Sequence, residues 1–172
     1  MQRCRMKALA IGLACASLAA GNAMAEEADA CGRFAWPLTV ERERVLAPEK
    51  PAFEIGTELP AGLDRAFSIK LQPTPQVTFV RPPERMRSEG YGGFVTMKSL
   101  AGAGLYQVTM SEDAWLDVIQ NGEFARSAGA SGRRNCPGLR KTVRFHLQAA
   151  PIVIQVSAVD TRDIVIVVRK VD

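Results

Sequence analysis

Residues 141–170 read KTVRFHLQAAPIVIQVSAVDTRDIVIVVRK. Val143, Phe145 and Leu147 alternate with Thr142, Arg144, His146 and Gln148. After a break at Ala149-Ala150-Pro151 the same period returns in Ile152, Ile154 and Val156, and again in Ile164, Ile166 and Val168. Period two puts every second side chain on one face of an extended chain, as a half-buried antiparallel strand requires. Three such strands in succession make this end of the chain all-β.

The pattern extends backwards. Phe67, Ile69 and Leu71 alternate with Ser68 and Lys70, Val77 and Phe79 follow, Phe94, Val95 and Met97 come after Gly92-Gly93, and Tyr106, Val108 and Met110 alternate with Gln107 and Thr109. Asn121-Gly122 separates two strand-like runs, Ala114–Gln120 and Glu123–Arg126, and both turn residues tolerate positive φ, which predicts a hairpin. Ser127–Gly138, rich in Gly, Ser and Arg, reads as a loop. Residues 26–60 carry Pro37, Pro48, Pro51 and Pro60, which break helices and interior strands. This part is expected to drape over the core and supply an edge strand; ERERV (41–45) could start a short helix, but nothing apolar recurs there at helical spacing. The predicted fold is an all-β, two-sheet antiparallel β-sandwich of jelly-roll or immunoglobulin-like type, with about eight strands, little helix, and a small closed barrel as the alternative.

The amino terminus predicts export. Arg3, Arg5 and Lys7 precede an apolar run over residues 8–20, and Ala23-Met24-Ala25 ends it, the layout of a signal peptide cleaved after Ala25. The run is too short and too rich in alanine to span a bilayer. Met6 is an equally good start; a rival lipoprotein site at Cys15 has Gly12 where a large aliphatic residue is wanted. The chain thus divides into a signal (1–25), a Pro-rich segment packing on the core (26–60) and the sandwich (61–172). The whole chain has 22 Lys+Arg and 18 Asp+Glu; without Arg3, Arg5 and Lys7 the balance is 19 to 18. So near-neutral a chain gives no support for a nucleic-acid partner. Cys31 and Cys136 remain after cleavage and are expected to pair, closing a loop worth up to about 4 to 5 kcal/mol in the chain-entropy model.

YQVTMSEDAWLDVIQNG (106–122) and KTVRFHLQAAPIVIQVSAVDTRDIVIVV (141–168) together resemble the second half of bacterial pre-peptidase C-terminal domains. Those are small secreted sandwiches with a Tyr-led strand, an acid-bearing strand after a turn, a variable loop and three closing strands. The likeness covers residues 104–168 and implies an accessory, non-catalytic role. Asp117 stands alone where that family often pairs acids, and Ala149-Ala150-Pro151 replaces its usual glycine turn. CGRFAWPL (31–38) with NCPG (135–138) is also similar to a group of small exported proteobacterial proteins of no established function.

The chemistry legible in the sequence is sparse. The chain has one histidine, His146, expected on the outward face of its strand, so a Ser-His-Asp arrangement or a multi-imidazole metal site has little to build on. No Gly-rich phosphate loop, GxSxG or CxxC is present, and no cofactor is expected. Glu112 and Asp113 fall in a turn where acids serve solubility. If Ala114, Leu116 and Val118 face the core, then Trp115 and Asp117 project from the other face, where an aromatic beside an acid can hold a sugar or peptide. The alternative is that Phe34 and Trp36 fold over that face and bury it. Arg133, Arg134, Arg140 and Lys141, with Arg126 nearby, could grip an anion or form a solvated loop. PPERMRSEGYGG (82–93) reads as a mobile loop. The expected function is non-catalytic binding of a glycan, peptide or anion, or of an envelope partner; a structural envelope role is the alternative and a hydrolase the third.

Overall fold

A computed structural model describes residues 30–60, 63 and 65–171. The expected signal peptide, its cleavage after Ala25 and the rival site at Cys15 lie outside the described residues. Among those described are a helix α1 (Thr39–Leu46) and the strands β1 (Ala52–Glu54), β2 (Glu58–Leu59), β3 (Phe67–Lys70), β4 (Gln72–Pro73), β5 (Tyr91–Met97), β6 (Gly104–Met110), β7 (Trp115–Gln120), β8 (Glu123–Phe124), β9 (Ser127–Gly132), β10 (Lys141–Leu147), β11 (Ile152–Val159) and β12 (Asp163–Lys170). The first sheet runs β1-β3-β12-β6-β10-β9 and the second β2-β5-β11-β7-β8, with β4 also on β5. The sheets pack as a sandwich. Most pairs are antiparallel; β1–β3 and β2–β5 are parallel because β2 crosses to the second sheet between β1 and β3.

The alternating residues build the core. Val108, Met110, Phe145, Ile164 and Ile166 of the first sheet meet Val95, Val118, Ile152, Ile154 and Val156 of the second in one buried cluster. Asn121 and Gly122 both have positive φ, +54° and +78°, so the β7–β8 turn takes the form whose twist matches its strands.

Several sequence expectations are corrected. Ser127–Gly132 is not loop but edge strand β9, whose small residues have weak strand propensity and are held by the ladder to β10. Val77 and Phe79 form no strand: they follow a 3-10 turn at Thr74–Gln76, and their alternation records one covered side without any ladder partner. The short helix that ERERV could begin is present as α1. Its inward residues are Val45 and a carboxylate, Glu41, which hid the apolar spacing.

Neither outer face is simply wet. Gln107 and Thr109, which alternation assigns to water, are fully buried, Gln107 against Glu41 of α1. Gln107 Nε2 donates to Glu41 Oε1 at 2.7 Å, Arg169 Nε donates to the same oxygen at 2.7 Å, and Thr109 bonds Thr142 at 3.0 Å. The Cys31–Cys136 disulfide, with Cα atoms 4.8 Å apart, clips this amino-terminal cover to the sheet. Phe34 and Trp36 therefore lie over the first sheet, Trp36 against Gly129 and Arg144, and not over Trp115. The second sheet is covered instead by a strap, residues 77–90, with Phe79 seated on Gly92.

Candidate anion-binding cleft

The strap is fixed by three polar side chains on the outer face of β7 and β11. Asp117 and Gln155 are directly opposite in register, as are Trp115 and Ser157. Gln155 Nε2 donates to the Arg81 carbonyl at 3.0 Å, Ser157 Oγ donates to the Arg85 carbonyl at 2.6 Å, and Asp117 Oδ2 accepts the Glu84 N–H at 3.3 Å. Loops carry backbone polar groups that need partners, and these residues supply them. PPERMRSEGYGG is thus anchored at residues 81–87, and its last residues, Tyr91–Gly93, begin β5.

Asp117, expected on an outer face, is only 3% exposed. Besides Glu84 it accepts the Trp115 indole N–H at 2.7 Å and a longer bond from Gln155 at 3.4 Å. Burial pushes its carboxyl above the ordinary carboxylate range, against those hydrogen bonds.

Trp115 is partly buried, and cations attend its ring. Arg85 Cζ lies 4.5 Å and Lys141 Nζ 5.2 Å from its centroid, within cation–π range. Lys141 also donates to the Ala114 carbonyl at 2.7 Å, and burial lowers its pKa from the usual lysine value. Both cations are thus held against the ring, which also lines a cleft.

Three depressions meet around these residues. A cleft of about 550 Å³ between the sheet edges is lined by Trp115, Asp117, Phe124, Arg126, Lys141 and Phe145, among others. A second, of about 320 Å³, has Asp113, Arg133, Arg134, Arg140 and Lys141 on its walls. A third, of about 580 Å³, adds Arg85 and Arg87 of the strap beside Trp115 and Lys141. Lys141 borders all three. Of the predicted site residues, Trp115, Asp117 and Arg126 come together in the first and Arg133, Arg134 and Arg140 in the second. Arg133 is engaged, donating to the Gly132 and Arg33 carbonyls and lying over Phe34.

No protein-family model, curated protein or solved structure matches the chain.

Sequence reading missed Glu84, Arg85 and Arg87. Their charges stand between prolines and glycines with no spacing that ties them to a strand some thirty residues later; only Asp117, a lone acid in an apolar strand, hinted at a buried partner. His146 is exposed, as expected. On β10 it shares a face with Arg144, opposite Lys141 and the cleft.

Proposed function

We propose that the protein is exported and binds an anionic ligand, without catalysis, in the cleft centred on Lys141. The observation that carries this is the set of cations converging on one rim: Lys141 and Arg85 held against Trp115, with Arg126, Arg134 and Arg140 on the adjoining walls. Arg126 and Arg134 make no hydrogen bond or ion pair with any described residue. A lysine with part of its hydration stripped away gains more from a carboxylate or phosphate than a fully solvated one. With residues 1–25 removed the balance is 19 basic to 18 acidic residues, which makes this a local field, suited to a specific acid group and not to general polyanion binding.

Three observations support a non-catalytic reading. Asp117, the carboxylate with a raised pKa, is occupied by three N–H donors, and a carboxylate so saturated anchors structure. The sole histidine stands across β10 from the cleft. The resemblance to accessory secreted sandwiches points the same way. Export is supported by the signal-like residues 1–25 and by the disulfide, which persists in oxidising compartments. No helix among the described residues is long and apolar enough to cross a membrane.

The test is calorimetric titration with oligogalacturonate, oligoglutamate and inorganic phosphate, against neutral maltohexaose, at low and high salt. Binding of an acid that salt weakens and Lys141→Met abolishes is the expected result. Heat from the neutral sugar alone, or from none of the four, overturns the proposal. Intact mass of the exported protein tests the rest: loss of residues 1–25 and of two hydrogens is expected, and a lipidated Cys15 contradicts it.

A further inference from the structure

Strand β9, SAGASG at 127–132, is the open margin of the first sheet. It pairs with β10 on one side, and among the described residues no backbone hydrogen bond reaches it from the other. The remaining sheet margins, β1, β2 and β8, are only two or three residues long. An edge strand of this length normally carries a lysine, a proline or a cover to stop it pairing with another chain. Within its span β9 has no lysine or proline, and among the described residues the cover it meets, Trp36 against Gly129 and Ala35 against Ser131, lies on one face and makes no ladder with its open edge. Its side chains are a hydroxymethyl, a methyl or a hydrogen, which leave the backbone open to approach, and four of its six residues are exposed.

The charges lie at its ends. Arg126 precedes β9, and Arg133 and Arg134 follow it. Antiparallel self-pairing about the centre of β9 would set Arg126 of one copy beside Arg133 or Arg134 of the other, and like charges across a ladder are destabilising. The edge is thereby turned against a second copy and towards an acidic chain. The inner face adds a further constraint. Ala130 is opposite Val143 and borders both the cleft and the arginine depression, while Gly129 and Ser131 face the other way, towards Trp36 and Ala35. An added strand would thus aim alternate side chains along the cleft side, where Lys141 stands on β10 opposite Gly132.

We infer that the ligand of the cleft is an extended peptide with carboxylates at alternate positions, which adds to β9 as a further strand. This deepens the anion-binding proposal and rests on it. Main-chain hydrogen bonds to β9 would supply affinity, and Arg126, Lys141 and Arg134 would select acidic side chains, the division of labour usual in strand addition.

The experiment uses the disulfide-bonded protein and a fluorescein-labelled octapeptide of alternating threonine and glutamate, with the threonine–lysine peptide as control. Fluorescence anisotropy reports affinity and amide hydrogen exchange reports where the peptide lies. Binding of the glutamate peptide alone, with slowed exchange at residues 127–132, is expected. Adjacent N–H groups of a strand point to opposite sides, so one of Ala130→Pro and Ser131→Pro removes an outward donor and spares the β10 ladder. That variant should keep its melting temperature and lose about tenfold or more in affinity. Should both fail to fold, Arg134→Glu and the exchange map still decide: weaker binding with β9 protected supports the inference. Binding that Lys141→Met abolishes while β9 exchanges freely overturns strand addition and leaves anion binding standing. Heat with phosphate or oligogalacturonate but no peptide binding does the same. No binding of peptide or any anion overturns both.

Discussion

The carboxylate of Asp117 accepts the indole N–H of Trp115 at 2.7 Å from two residues along the same strand. That spacing puts both side chains on one face of β7. The bond lets one buried acid do two things: it orients the ring that Lys141 and Arg85 approach, and its second oxygen receives the strap at Glu84. Asp117→Ala removes both. Its three N–H donors lose their acceptor, and the expected loss of stability is about 2 to 3 kcal/mol by urea unfolding, with faster amide exchange at residues 81–87. Unchanged exchange in the strap would show that it is held by other contacts.

The raised pKa of Asp117 gives an unusual pH dependence. Over the interval between the ordinary carboxylate value and the raised one, the folded chain keeps a proton that the unfolded chain has released. Stability contributed at this site therefore falls as pH rises through that interval, the reverse of a salt-bridged acid. Subtracting the stability of Asp117→Asn, which cannot titrate, isolates the effect. The wild-type-minus-variant difference should decline from acid pH upward and then level off; a difference that rises instead would contradict the burial argument.

Glu41 shows what binds the amino-terminal cover to the sheet. It is fully buried and accepts from both Gln107 and Arg169 through Oε1, while Oε2 has no partner among the described residues. Glu41→Ala strands the buried Gln107 amide and the Arg169 guanidinium, itself a third exposed. A loss of about 3 kcal/mol is expected. Glu41→Gln keeps the accepting oxygen and puts its amide where no partner is lost, so chemical denaturation should find it clearly less damaging than alanine.

The disulfide acts on the same cover. Cys136 is completely buried with Phe34, Leu38, Val45 and Leu139, and its bond to Cys31 spans 105 residues. Replacing both cysteines by serine should cost about 2 to 4 kcal/mol, chiefly by releasing the unfolded chain from a large loop. Tryptophan fluorescence would register the change at Trp36, which lies near the clip and over Arg144.

Gly90 closes the strap. Its φ is +95°, and a Cβ there would stand 2.7 Å from the Val159 carbonyl oxygen. Gly90→Ala is strained by backbone and contact together, and a loss above about 1 kcal/mol is expected on thermal unfolding. A variant as stable as the parent would mean that the backbone moves freely at this turn.

Much of the sandwich is written locally. Alternation over Tyr106–Met110, Val143–Leu147, Ile152–Val156 and Ile164–Val168 names the inner-facing residues, because a strand's period is a property of each segment alone. Asn121-Gly122 marks its hairpin for the same reason, and two cysteines left after a signal-like start leave one intramolecular pairing. What alternation cannot say is what lies on the other side of a strand. Gln107 and Asp117 look like solvent residues by their chemistry and are buried, since helix α1 and the strap bring Glu41 and the Glu84 backbone to them across 66 and 33 residues. Strand β9 is likewise invisible locally: SAGASG has loop composition and becomes a strand only because β10 offers it a ladder. The same holds for the site. Trp115, Asp117 and the arginines could be picked out by residue type, but their meeting at Lys141 depends on how two sheet edges and a strap converge, and charge acts through space without regard to chain order.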